Sequence, residues 1–131
     1  MTTVLEDLRQ RLIDAGVTPV AIGRRPNEPD EIVTLQTYVG PESRLPDGQN
    51  HPADERIAIQ AMARGSKRAS QRDAEILARR AHDALIGRHL TMNGVKYDWI
   101  EANHLPAYAG RDENDRALVS VNFTVRRRGF Q

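Results

Sequence analysis

At 131 residues, 39% of them apolar and only 5% aromatic, the chain is long enough for one domain with its own core, but a thin one that association with further copies would help. Its 19 basic and 18 acidic side chains leave a net charge of +1, which excludes a global pull toward nucleic acid or a membrane surface. Cys is absent, which excludes disulfides and thiolate metal sites, and no apolar run approaches the length of a membrane span.

The first ten residues carry Glu6 and Asp7 where a signal peptide would have a basic head and an apolar run, so the expectation is a protein that is cytosolic or is assembled in a cytosol. Thr3 with Glu6 reads as a capping box. Leu5, Leu8, Leu12 and Ile13 then form one apolar stripe ended by Gly16, which predicts a helix over residues 3–15. Val17 to Ile22 reads as a short edge strand and Glu31 to Val39 as a second strand rich in β-branched residues. The turn between them, Arg24-Arg25-Pro26-Asn27-Glu28-Pro29, suggests that the two form a hairpin.

Residues 40–54 are a polar, Pro- and Gly-rich loop of a length unusual inside a compact domain. Ile57, Ile59, Ala61 and Ala63 then alternate with Arg56, Ala58, Gln60 and Met62, the pattern of a strand with one buried face. The pattern breaks at Arg64-Gly65-Ser66. A helix follows, with Ser70 and Asp73 as a second capping box, apolar positions at Ala74, Leu77, Ala81, Ala84 and Leu85, and a stop at Gly87. Asn93-Gly94 between Leu90–Met92 and Val95–Ala102 predicts a two-residue type I′ hairpin, with Val95, Tyr97 and Trp99 on one face. Residues 104–115 read as a second long loop. Arg116 to Arg127 closes the chain as a strand with Ala117, Val119, Val121, Phe123 and Val125 on the inner face. The order α-β-β-β-α-β-β-β over a single domain, 1–131, predicts an α+β fold: a mostly antiparallel or mixed sheet with two helices packed on one face.

The chain offers little catalytic chemistry. Four His occur, but no His-x-x-x-His or His-Glu-x-x-His, so the expectation is no metal site and no cofactor. Asp112-Glu113-Asn114-Asp115 lacks the central Gly and distal Glu of a calcium loop and reads as a charged β-turn. Gly65-Ser66-Lys67-Arg68 is neither a nucleophile elbow nor a phosphate loop. An anion held at the start of the following helix by Lys67 and Arg68 is the alternative of another class, a small cytosolic anion-binding module or enzyme. Arg126-Arg127-Arg128 is a local basic cluster whose outer two members share a face. Only Lys67 and Lys96 are lysines among the basic residues. Arg in this excess fits GC-rich coding, and it also suits bidentate pairing at wet protein interfaces.

Together the segments resemble the tail-terminator and small minor capsid proteins of long-tailed bacteriophages. The likeness runs from Val4 to Val125. It rests on a strand ending Tyr38-Val39-Gly40-Pro41, an Ile57-Ala58-Ile59-Gln60 strand ending Arg64-Gly65, and a helix ending Ala84-Leu85-Ile86-Gly87. A charged Gly110–Arg116 turn and a last strand carrying Asn122-Phe123-Thr124-Val125 complete it. The resemblance implies a structural virion protein and no enzyme. It implies a homohexameric ring at the tail-neck junction, assembled in the host cytoplasm, that caps the tail tube, ends its elongation and mediates head-to-tail joining. The implied partners are further copies of the chain, the tail tube protein and the head-completion or stopper protein. Genomic DNA would pass through the lumen without sequence-specific binding, and no membrane is involved. A head-completion, stopper or other neck ring role is the alternative within this class. The residues expected at subunit or partner interfaces are Pro41, Glu42, Arg44, Asp47 and His51 in the first loop. Arg111, Asp112, Glu113 and Asp115 in the second loop and Arg126, Arg127 and Arg128 at the end complete the set.

Overall fold

A computed structural model describes residues 2–38 and 54–128. Its elements are helix α1 (Val4–Asp14), strands β1 (Val20–Ile22), β2 (Ile32–Thr37) and β3 (Asp54–Lys67), and helix α2 (Gln71–Leu85). Strands β4 (Gly87–Met92), β5 (Val95–Ala102), β6 (Ala107–Arg111) and β7 (Arg116–Arg128) follow. All seven strands join one sheet in the order β1-β2-β3-β7-β5-β4, with β6 paired to β7 beyond the end of β5. Every pairing is antiparallel except β1 with β2, and both helices pack on the same face, so the fold is the α+β arrangement expected.

The local reasons are legible. Glu6 N–H donates to Thr3 Oγ1 at 3.2 Å and Thr3 N–H to Glu6 Oε1 at 3.0 Å, which closes the capping box at the start of α1. The hydrogen bonds with Thr3 hold the Glu6 carboxyl below its usual range. Leu8 and Leu12 of the stripe are fully buried against the sheet, each stabilising the fold by roughly 1.5–3 kcal/mol. The buried line of α2 is Ala74, Ala78, Ala81 and Leu85, small side chains that bring the helix close over β3 and β7. Opposite them stand Ile59, Ala61 and Ala63 of β3 and Val119, Val121 and Phe123 of β7. Asn93 and Gly94 both take positive φ, 50° and 78°, as a type I′ turn requires.

Five expectations are corrected. Val20–Ile22 and β2 do not form a hairpin: they run parallel, Val20 opposite Val33, so residues 23–31 must travel back to the start of the sheet. Strand β3 does not break at Gly65 but continues to Lys67 through a register shift between Arg64 and Lys67. Gly65 lies against α2, where a Cβ would stand 3.5 Å from the Ala74 nitrogen, an ordinary contact distance. The turn is made by Arg68 at φ 60°. Residues 104–115 contain β6, a strand the loop composition had masked. Trp99 does not share the face of Tyr97: a register shift between them buries Tyr97 and Ile100 and leaves Trp99 partly exposed. Ser70 is the N-cap of α2, but its side chain makes no capping hydrogen bond.

Candidate functional site

Two arginines at neighbouring strand ends organise one corner of the molecule. Arg64, late in β3, and Arg116, opening β7, lie on the sheet face away from the helices, yet are only 3% and 2% exposed. The connection from β1 to β2 folds back over them. Arg64 Nε donates to the Asp30 carbonyl at 2.8 Å and Nη2 to the Pro29 carbonyl at 2.7 Å. Arg116 Nη1 donates to the Asn27 carbonyl at 2.6 Å and reaches Asp30 Oδ1 at 3.1 Å, while Nη2 reaches Asn27 Oδ1 at 3.1 Å. Its Nε pairs with Asp112 Oδ2 at 2.8 Å. These bonds are why β1 and β2 run parallel: the returning connection is pinned at the end where β2 must begin.

Asp112 ties the corner to the β6–β7 turn. Its Oδ1 accepts the N–H groups of Asn114 and Arg116, each at 3.0 Å. Burial alone would raise the Asp112 pKa. Hydrogen bonds from the Arg116 backbone and side chain and from Asn114 outweigh it, and the carboxyl sits below its usual range. Arg64 is also lowered, first by burial and then by the charge of Arg116. Next to this, Arg111 Nη2 donates to the Ala69 carbonyl at 2.9 Å and Nη1 to the Asp115 carbonyl at 3.0 Å. The Asp115 carbonyl also accepts Arg68 N–H at 3.1 Å, so this amide of the Gly65–Arg68 turn already has a partner within the fold.

The far end of β7 carries the second cluster. Asp98 stands between Arg126, at 3.4 Å, and Arg128, at 2.9 Å. Arg127 points to the opposite face, where it is buried beside Tyr97. Tyr97 donates to Asp7 Oδ2, and Asp7 Oδ1 accepts from Thr2 and, at 2.6 Å, from Asn93 Nδ2. Asp7, only 1% exposed, thereby ties α1 to the β4–β5 hairpin. The Tyr97 phenol is pushed well above its usual range, by burial first and then by the hydrogen bond and charge of Asp7.

The residues expected at interfaces therefore divide. Pro41, Glu42, Arg44, Asp47 and His51 lie outside the described residues. Arg111, Asp112, Glu113 and Asp115 come together at the turn before β7, and Arg126, Arg127 and Arg128 at its end. A strand of that length separates the two groups by roughly 40 Å. Glu113 and Asp115 are exposed, whereas Asp112 and Arg127 are engaged inside the subunit. Sequence reasoning missed the buried Arg64–Arg116–Asp30 ties and the Asp7–Tyr97 contact. Each joins residues far apart in the chain, and only the strand register brings them together. Among the described residues no three His, Asp or Glu side chains converge as a metal site, and no helix is long and apolar enough to cross a membrane.

The fold has solved counterparts. A chain from the virion of a native gene transfer agent particle superposes with a TM-score of 0.67 at 18% identity, over 96% of this chain and 95% of that one. A second solved chain gives a TM-score of 0.58 at 17% identity, over 96% and 93%. At these identities the likeness shows the fold. No curated protein sequence matches significantly. What the fold alone leaves open the family comparison supplies: the chain is a phage tail structural protein. A family model described as bacteriophage tail terminator protein matches residues 11–128, and the chain belongs to that family.

Proposed function

We propose that the protein forms a ring that caps the phage tail tube, ends tube elongation and mediates joining of the tail to the head. The observation that carries this reading is the tail terminator match over nearly the whole chain, residues 11–128. The shared fold with a chain of a gene transfer agent virion supports it. In this reading the protein resides at the tail-neck junction. It is assembled there from the host cytoplasm as a hexamer that contacts the tail tube protein on one side and a head-completion protein on the other. Genomic DNA passes through the lumen without sequence-specific contact.

A closed ring needs two different, complementary surfaces on each subunit. The charged turn Arg111–Asp115 and the Arg126–Arg128 end lie at opposite ends of β7 and supply candidates for them. Because Arg111 and Asp112 are held by internal bonds, the turn is preorganised for contact and little ordering is lost on binding. The test is electron microscopy of particles made without the protein. Overlong or headless tails are expected; tails of normal length on intact heads would overturn the reading, and full heads that leak DNA would point to a stopper instead.

A further inference from the structure

Beside the Arg64–Arg116 corner lies an open groove of about 530 Å³, lined by Arg24, Arg25, Asn27 and Glu113 over a floor of Arg64 and Arg116. We propose that this groove is a docking site for a carboxylate-rich segment of a protein partner, gripped by Arg24 and Arg25. Both side chains are exposed, and among the described residues neither has a hydrogen bond or ion pair. Beneath them, Arg64 is held by two main-chain carbonyls and not by a carboxylate. Among the lining residues four guanidinium groups thus face two carboxylates, those of Asp112 and Glu113; Asp112 already pairs with Arg116, as does Asp30 beside the groove. The groove keeps an excess of positive charge in a concave setting.

The site is also preformed. The loop that carries Arg24 and Arg25 is pinned at Asn27, Pro29 and Asp30, so the cationic pair is presented on a fixed support. Carboxylates suit it better than a nucleic acid backbone. A guanidinium fork matches carboxylate and phosphate alike through two parallel bonds, so the discrimination lies in the layout of charge. A phosphate backbone requires a continuous basic track, whereas here Asp112 and Glu113 interrupt the rim. The assignment concerns the isolated subunit and stands whether or not subunits close into a ring.

The test titrates the full chain with fluorescently labelled hexaglutamate at low salt and reads anisotropy. Binding that weakens about tenfold or more in Arg24→Glu with Arg25→Glu, and by less than about twofold in the charge-matched Arg72→Glu with Arg88→Glu, is the expected result. Circular dichroism checks that each variant is folded; if the Glu pair is not, Arg24→Gln with Arg25→Gln should show the same loss. The proposal is overturned by absence of binding to the wild-type chain, or by equal loss in both double variants. It is also overturned if a single-stranded oligonucleotide of equal charge binds more tightly through the same arginines, or if light scattering shows that those arginines hold two copies of this chain together.

Discussion

Replacing Arg116 with Ala should remove the single strongest tie between the β1–β2 connection and the sheet. The side chain makes one bond to Asp112, two to Asn27 and one to Asp30, at 2.6–3.1 Å, and is almost fully buried. Taking away one partner leaves the Asp112 carboxylate, itself largely buried, without its cation, and that kind of loss costs about 3–5 kcal/mol. A domain of this size has roughly 5–15 kcal/mol of stability in total. At roughly 3–5 °C per kcal/mol, Tm should fall by about 10–25 °C at pH 7 in calorimetry. The pH dependence gives an independent reading. Asp112 is depressed below its ordinary 3.8 in the folded state, so its contribution is complete above that value and disappears as the pH falls through the lower folded one. The wild type should therefore lose this increment below about pH 4, and Arg116→Ala should lose less of it. In a double-mutant cycle, Asp112→Ala with Arg116→Ala should cost at least about 1.5 kcal/mol less than the two singles summed. A fall of under about 1 kcal/mol for Arg116→Ala at pH 7, or strict additivity in the cycle, would refute the reasoning.

Asp7→Ala strands the buried Tyr97 hydroxyl and takes the acceptor from the exposed Asn93 amide, which water can replace, and should cost about 1–3 kcal/mol in urea unfolding; an unchanged midpoint would show that the contact contributes nothing. Alkaline titration followed at the tyrosinate absorbance should show one late step, arriving only with unfolding, because burial and Asp7 hold the Tyr97 phenol neutral. That step should vanish in Tyr97→Phe, and its persistence there would assign it elsewhere. Gly94→Ala puts a Cβ on a residue at φ 78° and should destabilise by about 1–2 kcal/mol, whereas the same change at Gly65, where φ is not positive and the added Cβ would meet Ala74 at an ordinary 3.5 Å, should cost less. Thr3→Ala should cost about 1 kcal/mol through loss of the cap on α1, and equal stability of the two proteins would contradict the capping geometry.

What was legible in the sequence is what is local. The capping box at Thr3, the Asn93-Gly94 turn and the alternation from Ala117 to Val125 each rest on neighbours within a few residues, and the structure keeps all three. The parallel pairing of β1 with β2 was not legible, because it depends on Arg64 and Arg116 reaching loop carbonyls 34 to 89 positions away. Strand β6 was hidden by Pro106, Gly110 and the charged turn, whose composition is that of a loop; pairing with β7 decides its conformation. The register shift after Tyr97 likewise has no signature in the alternation of Val95, Tyr97 and Trp99. The charged turn and the arginine run were recognisable as clusters, but which members face outward was not. Arg127 and Asp112 read as surface residues and are placed inside by their partners.

Strand β7 is flanked along its length, by β3 on one side and by β6 and then β5 on the other, and it carries a charged cluster at each end. In mechanical terms it is a strut. A pull between its two ends runs along the strand axis and loads the hydrogen-bond ladder in shear, so that many bonds share the force instead of opening one after another. A subunit gripped at those ends would hold its shape under tension better than one gripped across the sheet, through β1 or β4, where the same force would peel an edge strand away.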